Sequence, residues 1–152
     1  MDKRLFFVLN RARHRINKYI NTTLQKNFGI TSVQAAAILF LEQKESAFLK
    51  EMSSGLDMNS SAVTTLAQRL EKKGYTTKKR AETDKRAFQI SLTAKGKKTA
   101  EEIKPFVNDF NENFTNNFSK EEIDSVIKFF NFSIDLFDKK NKEEQKNDHT
   151  DV

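Results

Sequence analysis

Asp84-Lys85-Arg86-Ala87-Phe88-Gln89-Ile90-Ser91-Leu92-Thr93-Ala94-Lys95-Gly96 is the stretch that decides how the rest of the chain is read. It opens as a polar turn holding an acid and two bases. An alternating strand, Phe88 to Leu92, follows, and then a helix start. Upstream, Tyr75 to Arg80 reads as a basic strand that can pair with it. Further upstream, Leu49 to Gly74 reads as two short helices. Leu56-Asp57-Met58 makes the turn between them, Asn59 caps the second helix, Ser60 to Lys73, and Gly74 stops it.

Helix, turn, helix and a basic ribbon is the layout of a winged helix-turn-helix. Such a fold can place one helix in a major groove and the ribbon tip near the minor groove. Asp84-x-Arg86, a strand, then Leu92-Thr93-x-x-Gly96 resembles the signature of the MarR (multiple antibiotic resistance regulator) transcription factors. Leu66-Ala67-Gln68-Arg69-Leu70-Glu71-Lys72-Lys73-Gly74 is similar to the end of that family's recognition helix. The resemblance runs from about Leu5 to Phe137. It implies a mainly α fold with a small β ribbon. Residues 31–98 would form the DNA-binding lobe, and residues 1–30 and 99–138 a helical dimerisation region. It also implies a homodimer on a palindromic operator in double-stranded DNA.

Charge is segregated along the chain. Residues 60–98 carry eleven Lys/Arg against three acids, whereas residues 99–152 carry seven against thirteen. The positive excess lies on the recognition helix and ribbon, which suits a polyanion held against one face. A generally basic, Lys- and Asn-rich chain from an AT-rich genome is the plain alternative, but that bias does not explain the segregation of charge. Cysteine is absent, which excludes disulfides, thiolate metal sites and a cysteine redox sensor. His14 and His149 lie far apart, so no histidine metal site is expected and no cofactor is implied. There is no secretory signal and no apolar run long enough for a membrane span, so the expected location is the cytoplasm.

Outside the lobe, Leu5 to about Phe28 repeats apolar residues at three- and four-residue steps and ends at Gly29. Thr31-Ser32-Val33-Gln34 is a capping box opening a second helix to about Gln43, apolar nearly all round and therefore central. Thr93 caps a long helix to about Phe118, with a kink or break expected near Lys104 because Pro105 follows. Ser119-Lys120-Glu121-Glu122 opens a last helix to about Phe137. From Asp138 the apolar period ends, and residues 139–152 read as a disordered tail.

The DNA-facing candidates on the recognition helix are Ser60, Ser61, Thr64, Thr65, Gln68 and Arg69. Ala62, Val63, Leu66, Ala67 and Leu70 hold its other side down. Gln68 can bond an adenine edge, Arg69 a guanine or a phosphate, and the hydroxyls either base type or phosphate. The plain alternative is a solvated polar face. On the ribbon the candidates are Lys78, Lys79, Arg80, Asp84, Lys85 and Arg86. The resemblance places Arg86 near the wing tip, with Asp84 orienting Arg86 or Arg80 rather than touching phosphate. An ordinary charged hairpin is the alternative. Thr65 stands where the family often has a base or larger polar group, Asp57 where a turn glycine is common, and Ser53 where a small alanine usually packs.

Phe106, Phe110, Phe114 and Phe118 recur every four residues, and Ile123, Val126, Ile127, Phe129, Phe130, Ile134 and Phe137 follow. Aromatics at that spacing are usually core. Two helices cannot bury so many rings alone, whereas pairing with a second copy can. The resemblance also implies a small aromatic or amphipathic effector. Its candidate contacts are Arg11, Arg13 and Arg15, which can pair with a carboxylate, and Tyr19 and Phe40, which can supply a ring wall. The alternative is that these bases reach solvent or make salt bridges. Glu101/Glu102 and Glu121/Glu122 lie in first turns of helices, where acids are favoured without any catalytic role. No catalytic constellation or phosphate loop is visible. A DNA-binding regulator is the leading expectation, and an architectural or protein-binding winged helix the alternative.

Overall fold

Helix ends fall where the sequence supplies caps and left-handed residues. The computed structural model describes residues 4–80 and 88–148, the last eight by backbone alone. Helix α1, Arg4–Phe28, stops at Gly29 with φ 66°. Helix α2, Ser32–Lys44, starts at the Thr31 capping box. There the Gln34 amide donates to the Thr31 hydroxyl at 3.2 Å, and the Thr31 amide donates to Gln34 Oε1 at 3.1 Å. Strand β1, Ser46–Phe48, leads into α3, Leu49–Gly55, and α4, Ser60–Lys72. Strands β2, Thr76–Arg80, and β3, Phe88–Leu92, precede α5, Ala94–Thr115, and α6, Lys120–Asp148.

The chain divides into two compact units, residues 1–105 and 106–152. In the first unit the strands form one antiparallel sheet in the order β1-β3-β2. Ala47 pairs with Ile90 across one edge of β3, and Arg80 pairs with Phe88 across the other. The core is aliphatic: Ile30, Ile38, Leu41, Met52, Val63, Leu70 and Ile103 are fully buried. Helix α2 is central, as its apolar run requires, with Ala35, Ala37, Ile38 and Leu41 buried. Lys104 on α5 ties that helix to α2 by donating to Glu42 Oε1 at 2.7 Å and to Glu101 Oε1 at 2.8 Å. Those bonds, Glu101 first and Glu42 second, hold its ammonium above the usual lysine pKa.

The second unit holds the C-terminal half of α5 and all of α6. Ser119 and Glu122 close the capping box of α6 by exchanging backbone bonds of 2.8 and 3.3 Å. Phe110 and Phe114 meet edge to face at 5.2 Å on α5. On α6, Val126, Ile127, Phe130, Ile134 and Phe137 form a stripe at three- and four-residue steps, each about half exposed in the single chain.

Three sequence expectations need correction. Strand β1 was not foreseen; it adds a third strand on the far edge of β3 from β2. The helix through Pro105 is not broken: α5 is helical from Ala94 to Thr115 with the proline inside, although the two units divide at that residue. The expected disorder from Asp138 gives way to helix, since α6 runs on to Asp148. Its last turns consist largely of Lys, Glu, Gln and Asp without Gly or Pro, and Lys, Glu and Gln propagate an existing helix well.

Candidate nucleic-acid interface

Helices α3 and α4 are set by a turn whose backbone only some residues tolerate. Asp57 sits at φ 50°, where asparagine and aspartate cost less than most side chains. The Met58 amide donates to the Ser53 carbonyl at 3.0 Å, and the Ser53 hydroxyl donates back to the Met58 carbonyl. Ser53 therefore does more than fit between the helices: it staples both ends of the turn. Asn59 then caps α4, its side chain accepting from the Ala62 amide at 2.8 Å and from the Ser61 hydroxyl at 2.8 Å. Replacing Asn59 with alanine should cost about 1 kcal/mol, the usual price of a lost N-cap. Chemical denaturation that left the midpoint unchanged would show the cap to be idle.

The helix presents a clean division of faces. Val63, Leu66, Ala67 and Leu70 are buried, and Ser60, Ser61, Thr64, Thr65, Gln68 and Arg69 are all exposed. Three of these hydroxyls are already committed as donors. Thr64 donates to the Ser60 carbonyl at 2.8 Å, Thr65 to the Ser61 carbonyl at 3.0 Å, and Ser61 to Asn59. In these rotamers they offer lone pairs, which suit a base amino group better than a phosphate. The side chains of Gln68 and Arg69 form no hydrogen bond or ion pair among the described residues. Both keep their full donor capacity for a partner.

The wing stands beside this face. Lys78, Lys79 and Arg80 are exposed on β2. Asp84, Lys85 and Arg86 lie outside the described residues. A narrow cleft of about 40 Å³ separates wing from helix, and Thr64, Gln68, Glu71, Lys78 and Ile90 are among its walls. On the other flank of α4, Ser61, Thr65 and Arg69 share an open groove of about 530 Å³ with Asn21, Thr31 and Ser32. The Ser32 amide donates to Asn21 Oδ1 at 2.8 Å, which fixes that side of the groove. The sequence marked Thr31 and Ser32 as a cap but gave no sign that they adjoin the recognition helix. Nor did it single out Phe88, whose ring lies exposed beside Lys78 and Arg80.

Two lysines lock the lobe from behind. The Lys73 ammonium, at the end of α4, donates to the Gly29 carbonyl at 3.1 Å and lies 3.4 Å from Gln34 Oε1. The Lys95 ammonium donates to the Lys73 carbonyl at 2.7 Å and lies 4.4 Å from the Tyr75 ring centre. The base of the recognition helix is thus tied to the joint between α1 and α2.

The effector candidates are spread more widely. Arg11, Arg13, Arg15 and Tyr19 are exposed along α1. Arg15 and Tyr19 share an open depression with Lys18 and Lys26. Phe40, half-buried on α2, instead packs its ring against Gly55 at the end of α3. No group of three or more His, Cys, Asp or Glu able to hold a metal occurs among the described residues. No helix among them is long and apolar enough to cross a membrane.

This geometry has close counterparts. The profile described as "Transcriptional regulator SarA/Rot" matches residues 19–103. The transcriptional regulator SarZ of Staphylococcus epidermidis is 31% identical over 138 residues, covering 89% of this chain and 88% of SarZ. Among solved structures, Staphylococcus aureus MepR in complex with DNA superposes with a TM-score of 0.78 at 19% identity, over 86% of this chain and 96% of MepR. Streptococcus pneumoniae FabT in complex with DNA gives 0.78 at 22% identity, over 90% of this chain and 97% of FabT. With the turn, the capped helix and the ribbon in place, the chain belongs to the SarA/Rot family of MarR-like winged-helix transcriptional regulators.

Proposed function

We propose that this protein is a homodimeric repressor that reads a palindromic operator in duplex DNA. The observation that carries the reading is the exposed polar face of α4 beside the exposed cations Lys78, Lys79 and Arg80 of β2. The face supplies base-edge donors and acceptors, and the ribbon supplies charge for phosphates. MepR and FabT share this fold and were solved bound to DNA, which supports the same use here. Two copies would present two recognition helices to half-sites about one helical turn apart. The chain would act in the cytoplasm, on the chromosome. An aromatic or amphipathic acid is the effector class that Arg11, Arg13, Arg15 and Tyr19 suit, through carboxylate pairing and ring contact.

The test is selection from a random duplex library at near-physiological salt. An inverted repeat with half-site centres about ten base pairs apart is expected. Retention with no enriched motif would instead favour an architectural or protein-binding role. On the selected site, Gln68→Ala should weaken binding by about 10-fold or more, the worth of one good base contact, and leave binding to random duplex unchanged. Equal losses on both duplexes would remove Gln68 from base reading.

A further inference from the structure

Phe88 is an exposed ring, 39% accessible, on a strand whose next inward residue, Ile90, is buried. It lies directly opposite Arg80, and Lys78 lies opposite Ile90. Cross-strand partners share a face of an antiparallel ribbon, so Lys78, Arg80 and Phe88 are on one side. That side faces the recognition helix, because Lys78, Ile90 and Gln68 all line the cleft between wing and α4. The Lys78 ammonium lies 4.6 Å from the Phe88 ring centre, and the Arg80 guanidinium carbon lies 5.8 Å from it. Both distances fall within the range where the negative face of a ring attracts a cation.

We infer that Phe88 is a positioning residue for DNA binding, an aromatic platform that holds Lys78 and Arg80 on the wing side facing the recognition helix. The inference rests on the DNA-binding reading above. Two cations two residues apart on one strand repel each other, and long basic side chains lose much rotamer freedom on meeting a phosphate. A ring in contact with both offsets the repulsion and narrows their rotamers before DNA arrives. Glu71 lines the same cleft as Lys78. Its occupant is the sugar-phosphate strand bordering the groove that Gln68 addresses.

Phe88→Leu keeps the apolar bulk and removes the ring face, while Phe88→Tyr keeps the face. Fluorescence anisotropy on a labelled duplex carrying the selected site should show Phe88→Leu weakened about 3- to 10-fold and Phe88→Tyr close to wild type. In a Lys78→Met, Arg80→Met background, Phe88→Leu should have no further effect, because the cations it serves are absent. In DNA-free protein, the Lys78 side-chain methylene protons should show an upfield ring-current shift that Phe88→Leu abolishes. Wild-type affinity in Phe88→Leu would overturn the inference. So would an equal loss in the double-methionine background, which would make Phe88 a direct DNA contact or a folding residue. Failure of the DNA reading itself shows separately, as wild-type protein that retains no duplex.

Discussion

Replacing Gly96 with alanine is expected to destabilise the winged-helix unit by about 3 kcal/mol, the upper end of what overpacking costs. Gly96 is buried in the first turns of α5. A Cβ there would drive into the Tyr75 carbonyl oxygen and sit 3.0 Å from Leu92 Cδ2 and 3.1 Å from the Tyr75 carbonyl carbon. The struck oxygen cannot simply move. It accepts from the Thr93 amide at 3.0 Å, and the Thr93 hydroxyl oxygen lies 3.2 Å away. That hydroxyl donates its one proton to the Gly74 carbonyl at 2.6 Å and accepts from the Gly96 amide at 3.1 Å. Leu92-Thr93-x-x-Gly96 is therefore a junction: threonine ties the end of β3 to the loop after α4, and glycine lets α5 approach that backbone. Gly29→Ala is the control, because its Cβ would meet nothing within 4 Å and only the φ of 66° opposes it. It should cost about 1–2 kcal/mol. Urea denaturation reads both. Equal midpoints for the two variants would refute the close-approach argument.

The same junction shows why so much of the lobe was legible. Asn59, Gly74 and, as the cap of α5, Thr93 act through their own backbone neighbourhood and can be read one residue at a time, whereas the bonds of Thr93 to Gly74 and Tyr75 reach across the chain and cannot. Both bounds of α3 and of β3 follow from such local signals. Tyr75 shows the limit. Its amide bonds to Leu70 and its carbonyl to Thr93, which takes it out of the strand that its side chain suggests. Strand β1 has three residues, too few to display an alternation, and it exists because β3 offers it an edge. Glu45 precedes it at φ 64°, and glutamate carries no signal for that backbone. Helix α6 outlasts its apolar period because propagation needs only compatible residues, whereas an apolar period marks only the part of a helix that packs. The Phe88 platform was invisible for another reason: only the register that sets Arg80 opposite Phe88 distinguishes this ring from those in a core.

Charges placed on the apolar stripe of α6 are expected to produce the largest functional loss. Phe130 and Ile134 are 47% and 56% exposed in the single chain, flanked on the stripe by Val126, Ile127 and Phe137. On α1, Leu5, Phe6, Phe7, Val8 and Leu9 are exposed as well. A soluble monomer rarely leaves so many large apolar side chains in water. Covering each contributes roughly 1.5–3 kcal/mol. An aspartate in the same place must be buried without a partner or expelled with its neighbours. Phe130→Asp with Ile134→Asp should therefore raise the dimer dissociation constant by at least about 1,000-fold, equivalent to roughly 4 kcal/mol. Wild-type protein should sediment at twice the chain mass of 17.6 kDa, and the double variant at the chain mass itself. A monomer engages one half-site and loses the second, intramolecular contact, so operator affinity should fall about 100- to 10,000-fold. Phe130→Leu with Ile134→Leu should keep both properties, since it changes shape and not polarity. If the aspartate variant still sediments as a dimer and holds the operator, α6 is not the dimer surface, and the exposed stripe must serve some other contact.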